Sequence, residues 1–290
     1  MWFYLFTFTR KTMFELYEKT AHACSKTTTN LYSTSFSLGI RMIAKDYRWA
    51  IYGIYGFVRL ADEIVDTFDR DDKAELLAQF KHDTYTAIEK GISLNPILQS
   101  FQKVANQYNI GKELIEPFFN SMEADLDTKT YNHDLYNEYI YGSAEVVGLM
   151  CLKVFCDGQD AAYLALKPAA QSLGAAFQKV NFLRDMKSDA EDRGRIYFPH
   201  LNLNAFNEDT KMAIIEDVKQ DFRAAYIGIK QLPLSCRFGV YTSYKYYLRL
   251  LEKIEKANHQ EVLKSRIRVP NTEKMEVLAR AFVRFTFNAL

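Results

Sequence analysis

Apolar residues recur along most of this chain with the three-to-four-residue spacing of an α-helix, and alternating strand patterns are nearly absent. Polar loops such as 69–72 and 90–91 cut the chain into helix-length pieces, and so do its six prolines, at positions 96, 117, 168, 199, 233 and 270. The pattern predicts an all-α bundle of about ten helices around a central cavity.

No linker divides the chain into domains. It has 290 residues, of which 48% are hydrophobic, with no Pro/Gly/Ser-rich stretch, no internal repeat and no shift in composition. We therefore predict a single domain over residues 13–290. Residues 1–12 are apolar but too short to span a bilayer. We expect them to be an extension outside the fold, ahead of a start at Met13, or a weak membrane contact.

Two pairs of aspartates interrupt the apolar pattern: Asp62 with Asp66, and Asp185 with Asp189. Residues four apart share one face of a helix, so each pair places two carboxylates side by side. Such a pair is usually a solvated face. Here residues 49–61 are apolar almost all round, which is typical of a buried helix. Because burying an uncompensated carboxylate is costly, we expect a cation at the pairs.

Further polar residues continue each acidic stripe at helical spacing. Arg59 and Tyr55 precede the first pair, and Gln178 and Asn181 precede the second. Carboxylate oxygens suit Mg²⁺, with Mn²⁺ as a substitute, and Mg²⁺ tends to bridge carboxylates to phosphate oxygens. The sequence therefore predicts a diphosphate ligand. The small residues 174–176 would let a substrate or a neighbouring helix approach closely.

Four segments resemble the squalene and phytoene synthase family, the head-to-head prenyl transferases of the class I isoprenoid (terpenoid) synthase fold. They are YSTSF at 32–36, IYGFVRLADEIVD at 54–66, YIYGSAEVVG at 139–148 and QKVNFLRDMKSDAEDRGRIYFP at 178–199. The DEIVD and RGRIYFP forms look most like bacterial phytoene synthases, although dehydrosqualene synthases share most of the pattern. The resemblance covers nearly the whole chain from Met13.

The resemblance implies a role for each matched residue. The metal ligands would be Asp62, Asp66, Asn181, Asp185 and Asp189. The groups that bind the substrate diphosphates would be Ser33, Ser35, Arg59, Gln178, Asn181, Arg184, Arg195 and Tyr197, and bidentate Arg geometry fits that task. The aromatic residues around the reacting carbons would be Tyr55, Tyr139 and Tyr247. Segment 193–197 could close over the diphosphate as a basic flap.

Several of these residues have structural alternatives. Ser33 and Ser35 could cap the N-terminus of a helix, and Arg59 could form an ion pair with the first acidic pair. Tyr55 and Tyr139 could be ordinary core aromatics. Residues 241–247 include further tyrosines that could take the place of Tyr247. Val146, Val147, Leu149 and Met150 could fill the core or line a prenyl tunnel.

The activity that the resemblance implies is condensation of two geranylgeranyl diphosphates, through a cyclopropylcarbinyl diphosphate, to phytoene, with no redox cofactor. One alternative is condensation of two farnesyl diphosphates to dehydrosqualene or, with NADPH, to squalene. A head-to-tail elongase would carry D-D-x-x-D, whereas Glu63 occupies the second position here. A non-catalytic helical binding or assembly protein would be expected to have degraded acidic motifs, and both are complete.

Composition bears on nucleic-acid binding, on disulfide and zinc sites, and on the cellular location. The net charge of +1 gives no electrostatic case for nucleic-acid binding. The four cysteines lack a disulfide pattern and fit a reducing cytoplasm, and the histidines lack zinc-ligand spacing. We expect a cytoplasmic protein that touches the membrane surface, through an apolar face near residues 269–290, because its substrate and product are long hydrocarbons. The sequence leaves the oligomeric state open.

Overall fold

The computed structural model describes residues 10–127, 130–199 and 201–287, and within these ranges the regular structure is helical. The α-helices are α1 (Arg10–Tyr32), α2 (Thr34–Arg41), α3 (Lys45–Asp66), α4 (Lys73–Lys90), α5 (Pro96–Gln107), α6 (Lys112–Asp127), α7 (His133–Ile140), α8 (Val146–Cys156), α9 (Asp160–Glu191), α10 (Glu208–Ile229), α11 (Leu234–Lys256), α12 (His259–Lys264) and α13 (Asn271–Thr286). The all-α prediction is confirmed. The predicted number was low because α2, α7 and α12 have only six to eight residues.

The N-terminal helix crosses the expected domain boundary. Helix α1 begins at Arg10 and continues through Met13 without a break. Residues 1–9 lie outside the described residues, so the expectation that 1–12 form an extension remains a prediction.

Helix α3 lies at the centre of one of two clusters of buried side chains. Phe57, fully buried, stacks on Phe101 with ring centroids 3.9 Å apart and lies against Phe118 and Phe119. The second cluster joins α7, α9, α10 and α11, and Val240 packs against both clusters. The apolar sequence before the first acidic pair is therefore core, as its pattern predicted.

A π-helical turn, Tyr141–Glu145, joins α7 to α8 and makes residues 133–156 one continuous rod. Gly174 of α9 crosses this turn so closely that a Cβ there would lie 2.7 Å from the carbonyl oxygen of Ala144. The close helix approach predicted for the small residues is thus confirmed. His133–Cys156 is also the one described stretch long and apolar enough to cross a membrane, but 56% of the apolar window is buried inside the protein.

Candidate active site

A cavity of about 450 Å³ lies between the two buried clusters. Most of its wall is apolar and comes from α2, α3, α8, α9 and α11. Polar residues that line it on or near the acidic motifs are Ser33, Tyr55, Arg59, Asp62, Gln178, Asn181, Arg184, Tyr247 and Arg266. The cavity therefore has a charged end, which we call its mouth and which is lined by Arg59, Asp62, Arg184 and Arg266, and an apolar interior. A substrate with a polar head and a long apolar chain would require both.

At the first motif, Arg59 pairs with acidic neighbours on its own helix. Its Nη1 lies 2.5 Å from Asp62 Oδ2, and its Nη2 bonds to Glu63. The guanidinium lies over the Tyr32 ring, 4.3 Å from the centroid. The alternative prediction that Arg59 forms an ion pair with the first acidic pair is therefore confirmed, with Asp62 as the partner. The second partner, Glu63, was not predicted. The Arg59 Nε is buried and makes no hydrogen bond within the protein.

Burial and, to a smaller extent, the neighbouring Asp66 raise the pKa of Asp62 to about 6, while Arg59 opposes the shift. The negative charge of the ionised Asp62–Asp66 pair is therefore not fully neutralised by cationic groups of the protein. A bound cation would lower this pKa again.

The second motif is held by arginines from two parts of the chain. Arg184 forms a bidentate pair with Asp185, at 3.0 Å from Nε to Oδ1 and 2.5 Å from Nη2 to Oδ2. Arg266, between α12 and α13, places its Nε 3.0 Å from Asp185 Oδ1. Sequence analysis missed Arg266, whose only signal is its place in the basic segment RIR at 266–268. Burial and Asp185 together raise the pKa of Asp189 to about 7.

The predicted basic flap folds back onto both motifs. Arg193 Nη1 lies 2.8 Å from Asp189 Oδ1, and its Nε lies 3.4 Å from Asp66 Oδ2. Arg195 Nη1 donates to Asp66 Oδ1 at 2.7 Å, and an isolated parallel bridge pairs Ile196 with Thr130. The guanidinium of Arg193 therefore contacts one carboxylate of each acidic motif, Asp66 and Asp189.

Sequence analysis also missed Asp125, on α6. Its carboxylate is only 6% exposed and accepts hydrogen bonds from the hydroxyls of Tyr131, Tyr139 and Tyr197. Burial raises its pKa to about 6, and Arg195 opposes that shift. The one signal in the sequence is an aspartate on the apolar face of α6 that carries Phe118 and Met122.

The three predicted aromatic residues all line the cavity. Tyr247 stacks on Phe177, with ring centroids 3.9 Å apart, and donates to Asn181 Oδ1 at 3.3 Å. Of the tyrosines at 241–247, only Tyr247 reaches the cavity wall. Tyr139 donates to Asp125 Oδ2 at 2.5 Å, and burial raises the pKa of Tyr55 to about 12. Tyr139 and Tyr247 are thus buried core residues as well as cavity residues, whereas Tyr55 is partly buried.

Some of the remaining predicted residues line the cavity, and the others lie outside its lining. Ser33 lines the cavity and also caps α2, accepting from the Phe36 amide at 3.2 Å, so its capping alternative is confirmed. Ser35 is not part of the cavity lining. Val147 lines the cavity, whereas three other residues of the predicted tunnel helix, Val146, Leu149 and Met150, are fully buried in the core.

The carboxylates of the two acidic motifs are of the kind that binds a divalent cation, although Arg193 and Arg195 contact them in this structure. Within residues 10–127, 130–199 and 201–287, no three His, Cys, Asp or Glu side chains converge closely enough to hold a metal ion. Asp62 and Asp189 nevertheless have pKa values raised in part by a like-charged neighbour, which is the repulsion a cation relieves. The oxygen donors on α3 and α9 are those that Mg²⁺ prefers. A metal-bound state would require the flap arginines to give way or to face the diphosphate.

The family model for squalene/phytoene synthase matches residues 29–273, a range that contains both acidic motifs and the cavity wall. The chain belongs to the squalene/phytoene synthase family. This is a family of head-to-head prenyltransferases.

Among curated members of the squalene/phytoene synthase family, the phytoene synthase of Arthrospira platensis is 28% identical over 279 residues, covering 87% of this chain and 89% of that enzyme. The 4,4'-diapophytoene synthase of Staphylococcus haemolyticus is 29% identical over 201 residues, covering 66% and 65%. A crystal structure of a dehydrosqualene synthase in complex with ligand superimposes with a TM-score of 0.82 at 20% identity, covering 94% of this chain and 99% of that one. The fold is therefore that of the family's helical synthases.

Proposed function

We propose that this protein is a phytoene synthase, which condenses two geranylgeranyl diphosphates head to head, through a cyclopropylcarbinyl diphosphate, in carotenoid biosynthesis. The observation that carries the proposal is an apolar cavity whose mouth is lined by Arg59, Asp62 and Arg184 and flanked by both complete acidic motifs. Support for the C40 product comes from similarity to enzymes named phytoene synthase over 87% or more of the chain.

The arginines at the cavity mouth would bind the diphosphate oxygens. Arg59 has an unpaired Nε, and Arg184 and Arg266 both face the mouth with forked donor groups suited to diphosphate. Mg²⁺, held by Asp62, Asp66, Asn181, Asp185 and Asp189, would supply Lewis-acid stabilisation of the charge on the departing diphosphate.

The cavity wall would stabilise and protect the allylic cation left behind. Tyr55, Tyr247 and Phe177 belong to the cavity wall. An aromatic face contributes about 0.5–2 kcal/mol to a nearby cation when water is excluded. Apolar residues deeper in the cavity, including Val147 and Leu173, keep out the water that would quench the cation.

The second candidate is a dehydrosqualene synthase that uses two farnesyl diphosphates. It is favoured by the similarity to the diapophytoene synthase of S. haemolyticus and by the structural likeness to a dehydrosqualene synthase. A squalene synthase would require NADPH in addition. These enzymes would share the charged mouth and differ in the length of cavity that the chains fill.

The decisive experiment is a product assay. Purified protein is incubated with geranylgeranyl or farnesyl diphosphate, with Mg²⁺ or with EDTA, and the lipid extract is analysed by mass spectrometry. We expect phytoene from geranylgeranyl diphosphate only when Mg²⁺ is present. Dehydrosqualene as the dominant product would favour the second candidate. Absence of any C30 or C40 hydrocarbon would overturn both.

Two variants test the site itself in the same assay. Asp62→Ala and Asp185→Ala each remove one carboxylate of a motif, and we expect turnover to fall by at least about 100-fold with unchanged circular dichroism. Near-normal product from either folded variant would contradict the assignment of the motifs.

The same activity would bring the protein to a cytoplasmic membrane surface. Helix α13 exposes Met275, Phe282 and Val283, and Phe287 directly after it is also exposed; Arg280 and Arg284 flank them. Such a face suits the interface of an anionic bilayer, into which a C40 hydrocarbon can leave. Co-sedimentation with anionic vesicles should fall markedly for Phe282→Asp, whereas equal binding by this variant and the wild type would exclude this face.

A further inference from the structure

Asp125 is a buried carboxylate that belongs to neither acidic motif. It lies near the end of α6, and three phenols from other parts of the chain donate to it: Tyr139 at 2.5 Å, Tyr197 at 3.1 Å and Tyr131 at 3.2 Å. A buried carboxylate is costly unless most of its acceptor sites are used. Here its two oxygens are satisfied from α7, from the segment before α7 and from the flap.

Arg195 connects this carboxylate to the first acidic motif. Its Nη2 donates to the backbone carbonyl oxygen of Asp125 at 2.7 Å, and its Nη1 lies 3.6 Å from Asp125 Oδ1. The same Nη1 donates to Asp66 Oδ1 at 2.7 Å and approaches the hydroxyl of Tyr197 at 3.3 Å. The Arg195 side chain is only 7% exposed, so its orientation is fixed by these partners.

The network therefore has two ends in the active site. One end is Asp66, which Arg195 holds, and the other is the ring of Tyr139, which lines the cavity. Between them, the carboxylate of Asp125 accepts from the Tyr139 phenol and lies 3.6 Å from Arg195 Nη1, and the backbone carbonyl of Asp125 accepts from Arg195 Nη2. Tyr131 contributes a hydrogen bond without lining the cavity, and its ring packs on Tyr139 and Tyr197.

We propose that Asp125 is a positioning residue, which fixes Arg195 against Asp66 and Tyr139 in the cavity wall and thereby sets the geometry in which a diphosphate is held. The inference rests on the proposed function, since it assigns Asp125 to the support of the same site. Asp125 touches no substrate on this account and acts through Arg195. An asparagine at position 125 would keep the volume but turn an NH₂ donor towards groups that are themselves donors.

The test compares Asp125→Asn with Asp127→Asn, an exposed aspartate on the same helix. For Asp125→Asn we expect kcat/KM to fall about 10- to 100-fold, the range seen when residues that orient a charged site are removed. We expect the KM for prenyl diphosphate to rise as well, because Arg195 loses its fixed position. The Asp127→Asn protein should match the wild type, and circular dichroism reports whether each variant folds.

A second measurement does not depend on turnover. Binding of inorganic diphosphate in the presence of Mg²⁺, followed by calorimetry, should weaken at least about 10-fold for Asp125→Asn and remain unchanged for Asp127→Asn. If the wild type forms no hydrocarbon but this difference holds, the proposed function fails while the role of Asp125 stands. Equal diphosphate affinity in folded Asp125→Asn and wild type would overturn that role.

A double variant separates positioning from simple loss of stability. Arg195→Lys keeps the charge but removes the fork that reaches both Asp66 and Asp125. If Asp125 acts through Arg195, adding Asp125→Asn to Arg195→Lys should lower kcat/KM or diphosphate affinity by less than about threefold further. Two losses that multiply in full would show that Asp125 acts independently of Arg195 and would contradict the proposal.

Discussion

Asp66 and Asp189, one from each acidic motif, share the guanidinium of Arg193. The Arg193 Nη1 lies 2.8 Å from Asp189 and its Nε lies 3.4 Å from Asp66. Helices α3 and α9 are thus joined electrostatically by a residue of the flap. The bridge stabilises two carboxylates that would otherwise repel, and it lies beside the diphosphate site that we propose.

Removing this bridge should impair the enzyme. For Arg193→Gln we expect kcat/KM to fall about 10- to 100-fold, because Asp66 and Asp189 lose a common partner and the flap loses an anchor. Steady-state kinetics with the active prenyl diphosphate measure the change. Lys187→Gln, which removes a half-exposed cation of α9 paired with Glu191, is the matched control and should leave kcat/KM unchanged. Full activity of Arg193→Gln would show that the bridge has no part in catalysis.

The raised pKa of Asp62, about 6 against an ordinary 3.8, predicts a stability that depends on pH. Between these values the native state binds the proton more tightly than the unfolded chain, so stability falls as pH rises through this window. Asp62→Asn removes the ionisable group and should raise Tm at pH 7.5 in EDTA. Because the side chain is 34% exposed, screening limits the gain to about 1 kcal/mol, or about 2–4 °C.

The pH dependence supplies the control for that experiment. At pH 4.5 the wild-type carboxyl is already protonated in the native state, so the advantage of Asp62→Asn should shrink or vanish. Thermal unfolding followed by circular dichroism at both pH values measures this. A lower Tm for Asp62→Asn than for the wild type at pH 7.5 would contradict the prediction.

Narrowing the cavity should change which substrate is used. Ala170 of α9 lines the apolar wall, and Ala170→Leu would fill part of the space that a C20 chain needs. We expect kcat/KM for geranylgeranyl diphosphate to fall at least about 10-fold, with a smaller loss for farnesyl diphosphate. Ala165→Leu, at an exposed position of the same helix, should alter neither value. Equal losses for both substrates would place Ala170 outside the chain-length-sensitive region.

Lys211 offers a test of stability away from the cavity. Its side chain is fully buried, and its ammonium donates to the backbone carbonyl oxygens of Glu255 and Ala257, where α11 ends. Lys211→Met would leave these carbonyls unsatisfied and should lower the free energy of unfolding by about 1–3 kcal/mol without changing kcat. Lys219→Met on the same helix breaks a partly exposed pair with Glu255 and should cost less than about 1 kcal/mol. Denaturant unfolding compares the two, and equal losses would contradict the account.

Local geometry explains which features could be predicted from the sequence. Asp62 and Asp66, or Asp185 and Asp189, share a helix face because residues four apart do so in any helix. The apolar segment before Asp62 had to be buried, since no face of it suits water. Capping could be foreseen as an alternative role for Ser33 because a serine before a helix commonly accepts from its first turn.

The amino-acid sequence by itself therefore determined the helical class, the pairing of carboxylates within each motif and the burial of α3, because all of these follow from spacing along one helix. Only the tertiary structure decided that Arg193 joins Asp66 to Asp189 and that Arg266 reaches Asp185. It also decided that Tyr247, rather than its neighbours, lines the cavity. Lastly, it decided that Asp125 accepts hydrogen bonds from three tyrosine hydroxyls. These relationships depend on how helices far apart in the chain pack together, and no local spacing records that packing.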